Sequence, residues 1–344
     1  MAGGGHGTRA VIAALLANAG IAVAKFVGFL VTRSGSMLAE SVHSAADTGN
    51  QALLLLGGRR ARRPATPQHP FGHGRERYFW SFIVALMLFS VGGMFATYEG
   101  VEKIRHPHEL DSPLVAVGIL VVAILLESLS FRTAVVEARP LKEPGTGWWH
   151  FVRRAKVPEL PVVLLEDLGA LVGLILALAA VVTAHVTGDA VWDGYGTLAI
   201  GVLLIVIATI LAIEMKGLLI GEAASEADQQ RIAAAIEIEP SVTRLLHMRT
   251  LHIGPDELLV GAKIELVSDL TVEEATEVVN RVETSVRRAV PAARMLYLEP
   301  DVFRTDQPGE AGTGDAAPEA AAADDETVPA TVGAAGEHGE SGED

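Results

Sequence analysis

Ser36–Leu56 reads SMLAESVHSAADTGNQALLLL, an apolar run of membrane-spanning length that carries His43 and Asp47 one helical turn apart. An ionisable side chain at mid-bilayer costs roughly 3 kcal/mol even on lenient insertion scales, so two on one helix face need partners, water or an ion. A histidine and a carboxylate at i, i+4 project to the same side, and the pair suits a borderline divalent cation such as zinc. The competing reading is an interhelical hydrogen-bond pair that only ties the bundle together. The rarity of ionisable groups in hydrocarbon favours the metal reading.

Outward from this stretch, half of the chain's 344 residues are hydrophobic, and about 20 apolar residues cross a hydrocarbon core. Six segments reach that length: Arg9–Val31, Ser36–Leu56, Tyr78–Val101, Pro113–Val135, Glu159–Ala184 and Gly194–Ile220. The expected architecture is a polytopic α-helical membrane domain of six transmembrane helices over residues 9–220, after a short cytoplasmic segment at 1–8. The opening MAGGGHGTRA has little charge and no small-residue cleavage site close after the first apolar run, so it reads as retained. Arg59, Arg60, Arg62, Arg63, Arg75 and Arg77 crowd the second connection, and Arg132, Arg139, Lys142, Arg153, Arg154 and Lys156 crowd or border the fourth. The alternate connections hold few cations, so the positive-inside rule puts both termini in the cytoplasm. The expected location is the cell membrane.

Beyond Ile220 the pattern changes to a small α/β unit spanning 221–304. Ser225–Ile236 is polar with an Ile/Ala face, Val242–Ile253 and Leu258–Val267 read as strands, and Gly254-Pro255-Asp256 is a turn between them. Val260, Ala262, Ile264 and Leu266 share one strand face. Thr271 and Glu274 form a capping box, and Val272, Ala275, Val279, Val282 and Val286 recur at helical spacing up to Pro291. With a strand at Arg294–Leu298 the order is αββαβ. Residues 305–344 form an acidic tail with eleven Asp or Glu and no Lys or Arg, so most of the net charge of −15 comes from there. Its composition predicts disorder. No nucleic-acid partner is expected, and the absence of cysteine excludes thiolate metal sites and disulfides.

The run SGSMLAESVHSAADTGNQ, the loop HPFGHGRER, the EDLGALVG of the fifth segment, the DGYGTLAIG opening the sixth and the trailing αββαβ unit together resemble the cation diffusion facilitator family. Order, spacing and topology match over about residues 9–303. The resemblance implies an exporter of zinc or a related divalent cation that works in exchange for protons. It further implies a homodimer with a cytoplasmic ferredoxin-like domain, and no prosthetic group.

Carried over onto this chain, the family's transport site draws two ligands four residues apart from each of the second and fifth segments. The second supplies His43 and Asp47; the fifth supplies Asp167, but Val163 stands where many members have histidine. This chain is similar to a branch whose LLED-type fifth segment lacks that histidine. Zinc ordinarily takes four ligands in a tetrahedron, so the fourth is Glu166, another polar side chain or water. Glu166 lies about 100° around the helix from Asp167, whereas Glu40 and Asn50 lie within a turn of His43 and Asp47.

His69 and His73 in the arginine-rich loop are a second metal candidate. Pro70 and Gly72 between them argue for a turn rather than a helix. In the family this loop can hold a secondary zinc ion with an acidic partner, where this chain has Thr66. Asn18, Lys25, Glu127, Ser128 and Ser130 either line the ion path or pair across helices, with pairing the commoner role of isolated polar groups in membranes. In the soluble unit, Lys263 and Tyr297 stand near positions where zinc-binding members have histidine, with Glu299, His247 and His252 close by. A protonated lysine cannot ligate zinc, so packing alone is the expected basis of dimerisation.

The function expected is secondary transport of a divalent cation out of the cytoplasm, with zinc as substrate, rather than enzymatic chemistry. An oxygen-rich site shifts preference toward manganese or iron. A membrane metal sensor or scaffold that does not transport is a further alternative. Asp47 and Asp167 also admit an intramembrane aspartyl protease dyad, but neither a Tyr-Asp nor a Gly-x-Gly-Asp arrangement accompanies them.

Overall fold

The computed structural model describes residues 6–32, 35–107, 113–142 and 145–303. In its first two helices the side chains of residues 6–10, 13, 14, 17, 25, 28, 29, 31, 32 and 35–43 lie outside the described set, among them those of Lys25, Glu40 and His43. The tail from residue 304 lies outside it as well.

Uninterrupted apolar sequence becomes helix. α1 covers His6–Thr32 and α2 Gly35–Ala61; α3, Glu76–Met87, runs through a π-helical segment, Leu88–Met94, into α4, Phe95–Arg105. α5, Pro113–Ala138, ends in a 3₁₀ turn at Arg139–Leu141, and the short α6, Trp148–Arg154, precedes α7, Glu159–Thr187, and α8, Val191–Ile220. Among the described residues four stretches are long and apolar enough to cross a membrane: Glu76–Arg105, Leu114–Leu141, Glu159–Thr187 and Val191–Ile220. α1 and α2, at 27 residues each, are about 40 Å long. Leu125, Leu129, Ile175, Val206 and Ile213 stay exposed on the helix exteriors, as lipid contact requires.

The π-helical segment departs from the plain helix that the third apolar run predicts. Within it Gly93 comes close to α8, where an added Cβ would lie 2.6 Å from Ile205 Cγ1. Further along the same pair of helices, a Cβ on Gly100 would lie 2.5 Å from the Leu198 backbone nitrogen. Small residues of this kind let α4 and α8 pack backbone to backbone.

The soluble unit has the expected αββαβ order. α9, Glu226–Glu237, starts on Ser225, whose side chain accepts from the Asp228 N–H. β1, Val242–Gly254, pairs antiparallel with β2, Glu257–Leu266, and β2 pairs parallel with β3, Ala293–Pro300, giving the strand order β1-β2-β3. α10, Val272–Ala289, crosses between β2 and β3 and opens on the Thr271–Glu274 capping box. Val260, Ala262 and Ile264 are buried against Val278, Val282 and Val286 of α10. Full burial contributes roughly 1.5–3 kcal/mol per side chain of this size. The stripe on α10 differs from the expected one at its start: Val272 is 87% exposed and Val278 takes its place in the core. As the first helical residue, Val272 precedes the turn at which α10 meets the sheet.

Candidate functional site

α2 and α7 are joined at the level of the apolar run's polar residues. One turn beyond Asp47, Asn50 Nδ2 donates to Glu166 Oε1 at 3.0 Å and Gln51 Nε2 donates to Glu166 Oε2 at 2.9 Å. Gln51 in turn accepts from Asn18 of α1 at 3.4 Å, so one hydrogen-bonded chain crosses α1, α2 and α7. Asp167, the next residue on α7, turns to a different helix: Ser130 Oγ of α5 donates to its Oδ2 at 2.8 Å. Adjacent carboxylates thus tie α7 to two neighbours.

All these groups are withdrawn from solvent. Gln51 is 0% exposed, Asp167 1%, Glu127 4%, and Glu166, Asn50 and Ser130 are comparably buried. Asp47 lies within electrostatic range of both Glu166 and Asp167, and Glu127 of α5 lies within range of Glu166. Asp167 Oδ1 is buried with no hydrogen-bond partner. A buried oxygen left without a donor is rare and costly, and a site where one persists calls for a proton or a cation.

The sequence-derived candidates are placed unevenly. Asp47, Glu166 and Asp167 come together between α2, α5 and α7. His43 lies on α2 one turn before Asp47, with its side chain outside the described set. Val163, where an imidazole would complete the pattern, is 0% exposed in the helical core. Among the described residues no three His, Asp or Glu side chains stand close enough to hold a metal ion. The reading from sequence passed over Gln51, although it lies at i+4 from Asp47 on the same face; an uncharged amide gave no signal of its own.

In the loop, the His69 and His73 rings lie 4.6 Å apart, centroid to centroid. Thr66 and His69 close an antiparallel bridge, with Thr66 Oγ1 3.5 Å from His69 Nδ1, so the Pro- and Gly-containing segment is a turn as expected. His73 Nδ1 is buried with no hydrogen-bond partner. In the soluble unit, Lys263 is 3.1 Å from Asp301 and 4.0 Å from Glu299, so it is engaged with carboxylates. His247 accepts from Arg249 Nε at 2.9 Å. His252 is buried under the α8–α9 connection, its backbone N–H donating to the Glu222 carbonyl. Burial, then the nearby Lys156 ammonium, holds the His252 ring below its ordinary 6.5.

Residues 11–220 match the cation efflux transmembrane domain, and residues 224–300 match the cytoplasmic domain of cation efflux proteins. The chain belongs to the cation efflux family. It is 30% identical over 258 residues to the mouse proton-coupled zinc antiporter SLC30A9, mitochondrial, covering 75% of this chain and 46% of that protein. It is 29% identical over 272 residues to metal tolerance protein C4 of Arabidopsis thaliana, covering 78% and 59%. Against the cation-efflux pump FieF of Salmonella paratyphi A it is 23% identical over 291 residues, covering 84% and 91%. The chain thus spans about half the length of the SLC30A9 relatives it matches. The solved C-terminal domain of MamM is 27% identical over 23% of this chain and 98% of that domain, with a TM-score of 0.22. The helical part and the αββαβ unit thus correspond to the transmembrane and the cytoplasmic domains of cation efflux proteins.

Proposed function

We propose that this cation efflux protein moves a divalent cation, zinc, out of the cytoplasm in exchange for protons. In this reading α1, α2, the α3–α4 pair, α5, α7 and α8 are six transmembrane helices over 9–220, the 221–304 unit is cytoplasmic, and both termini face the cytoplasm of a cell-membrane protein. Two copies associate through the soluble unit. The substrate is held by His43, Asp47 and Asp167.

The observation that carries this reading is the partnerless Asp167 Oδ1, buried on α7 within electrostatic range of Asp47 on α2. A ligand atom kept free at a helix junction suits an ion that arrives and leaves. Both oxygens of Glu166 already accept amide hydrogens, so Glu166 fits the role of a tie between helices better than that of fourth ligand, and water completes the tetrahedron. Exchange follows from competition: a ring that ligates metal is neutral, so cation and proton cannot both occupy His43. Rocking of α2 and α7 against their neighbours then carries the loaded site from one side to the other. His69 and His73 supply a secondary loop site outside the hydrocarbon.

The buried Val163 favours one wider reading of specificity. With a valine in place of an imidazole, oxygen outnumbers nitrogen among the donors, and such a site admits manganese or iron alongside zinc. Uptake of zinc, manganese, iron and cobalt into reconstituted vesicles under an imposed pH gradient tests both points. Zinc movement with opposite proton movement is expected. If folded protein moves none of the four, the transport reading fails and a sensor or scaffold takes its place.

A further inference from the structure

At the end of α2 that meets the soluble unit, the structure leaves a cavity of about 610 Å³, a volume typical of small-ligand sites. It has two chemical halves. One is apolar and belongs to the helices, with Val11 of α1 and Leu54 and Leu55 of α2. The other begins one turn further along α2 with Arg59 and continues with Arg62 and Arg63. The β1–β2 turn of the cytoplasmic domain closes the far side.

Charge in the cavity does not cancel. Glu159 accepts two hydrogen bonds from Arg77, at 2.5 and 2.7 Å, and Asp256 stands 3.5 Å from the same guanidinium. Glu257 stands 3.5 Å from Arg294. These are the acids of the lining, and each already faces a cation. Arg59, Arg62 and Arg63 have no ion-pair partner among the described residues. The positive-inside rule accounts for arginines on this side of the membrane. It does not account for three unpaired guanidiniums gathered around a cavity whose other half is apolar.

We propose that this cavity binds a phosphate-bearing anion, the headgroup of an anionic phospholipid, with the phosphate on Arg59, Arg62 and Arg63 and the start of the acyl chains on Val11, Leu54 and Leu55. Guanidiniums match phosphate oxygens bidentately, and their weak hydration lets them do so in a partly enclosed site. The bound headgroup bridges the end of α2, the loop carrying His73, and the 254–257 turn of the soluble unit, all of which line the same space. The inference stands apart from which cation is carried, since it uses none of the transport residues.

The test is native mass spectrometry of the full-length chain in neutral detergent, titrated with phosphatidylglycerol or phosphatidylcholine of equal chain length. One phosphatidylglycerol per chain is expected to survive, with at least tenfold preference over phosphatidylcholine. Arg62→Gln with Arg63→Gln weakens that retention roughly 30-fold, at about one guanidinium's worth of anionic-lipid attraction each. Arg59→Gln alone is the milder variant should the pair fold poorly. Arg139→Gln with Lys142→Gln, cytoplasmic cations outside the cavity, leaves retention unchanged. Inorganic phosphate is titrated separately: displacement of the lipid at millimolar phosphate, lost in the Arg62/Arg63 variant, identifies a soluble phosphate compound as the source instead. Equal retention of both lipids, or equal loss in the cavity and control pairs, overturns the site and leaves only diffuse surface potential.

Discussion

In the proposed transport site, Ser130 orients a ligand without being one itself. Its hydroxyl fixes Asp167 Oδ2 at 2.8 Å and leaves Oδ1 as the oxygen with no donor. Partners that orient a ligand typically contribute 10- to 100-fold in metal affinity, so Ser130→Ala is expected to weaken zinc binding by about that factor with little change in melting temperature. Isothermal titration of the purified chain measures it, and an unchanged affinity would mean that Asp167 is oriented by something else. His252 makes a different, pH-linked prediction. Its imidazole is held below 6.5 when folded, by burial and then by Lys156, with Glu222 and Asp228 opposing. As pH falls through 6.5 the unfolded chain takes up a proton that the folded one resists, so stability present above that pH is lost below it. The loss is at most about 1.4 kcal/mol at pH 5.5. Protection factors of β1 and β2 amides, corrected for the intrinsic pH dependence of exchange, should fall between pH 7.5 and 5.5, and His252→Phe should flatten that change.

Elements were legible in the sequence wherever a single pattern determined them. The Thr271–Glu274 capping box, the Gly254–Asp256 turn and the alternating face of β2 all appear in the fold, because each rests on contacts within a few residues. Apolar length likewise located α7 from Glu159 and α8 up to Ile220. What escaped was set by contacts between distant segments. The π-helical segment at Leu88–Met94 packs its Gly93 against Ile205, and the core stripe of α10 shifts from Val272 to Val278 because only the later turns meet the sheet. At the site, charge marked Asp47 and Asp167, whereas Gln51 and the Ser130 partnership emerge only once α1, α5 and α7 are brought together. The α4–α8 contact gives this distinction a test. A Cβ at Gly100 would meet backbone at 2.5 Å, while nothing lies within 4 Å of one at Gly118 on α5. Gly100→Ala should cost about 1–3 kcal/mol through overpacking and lower the melting temperature by several degrees. Gly118→Ala should be neutral or slightly stabilising, since alanine is the better helix former.

On the scale of the whole molecule, the candidate metal residues among the described ones fall into a group between α2, α5 and α7 and a histidine pair on the loop. Asp47, half-buried, faces the buried carboxylates of Glu166 and Asp167, a placement that makes sense chiefly with an ion or a proton in attendance. Asp47→Ala is therefore expected to reduce transport to background while leaving the protein folded. His69 and His73 are paired ring to ring in a turn, and His69 is exposed. Replacing both with alanine should shift apparent affinity by a few-fold and leave the maximal rate measurable. Truncation after Thr305 should do less still, because it removes eleven acids but leaves β3 and the soluble core whole. Initial rates of zinc uptake and dimer content, measured for the three variants in the same vesicles, separate these roles. Should the double histidine variant be as inactive as Asp47→Ala while folded and dimeric, the essential ion sits on the loop, and the carboxylates between α2 and α7 serve only to hold the helices together.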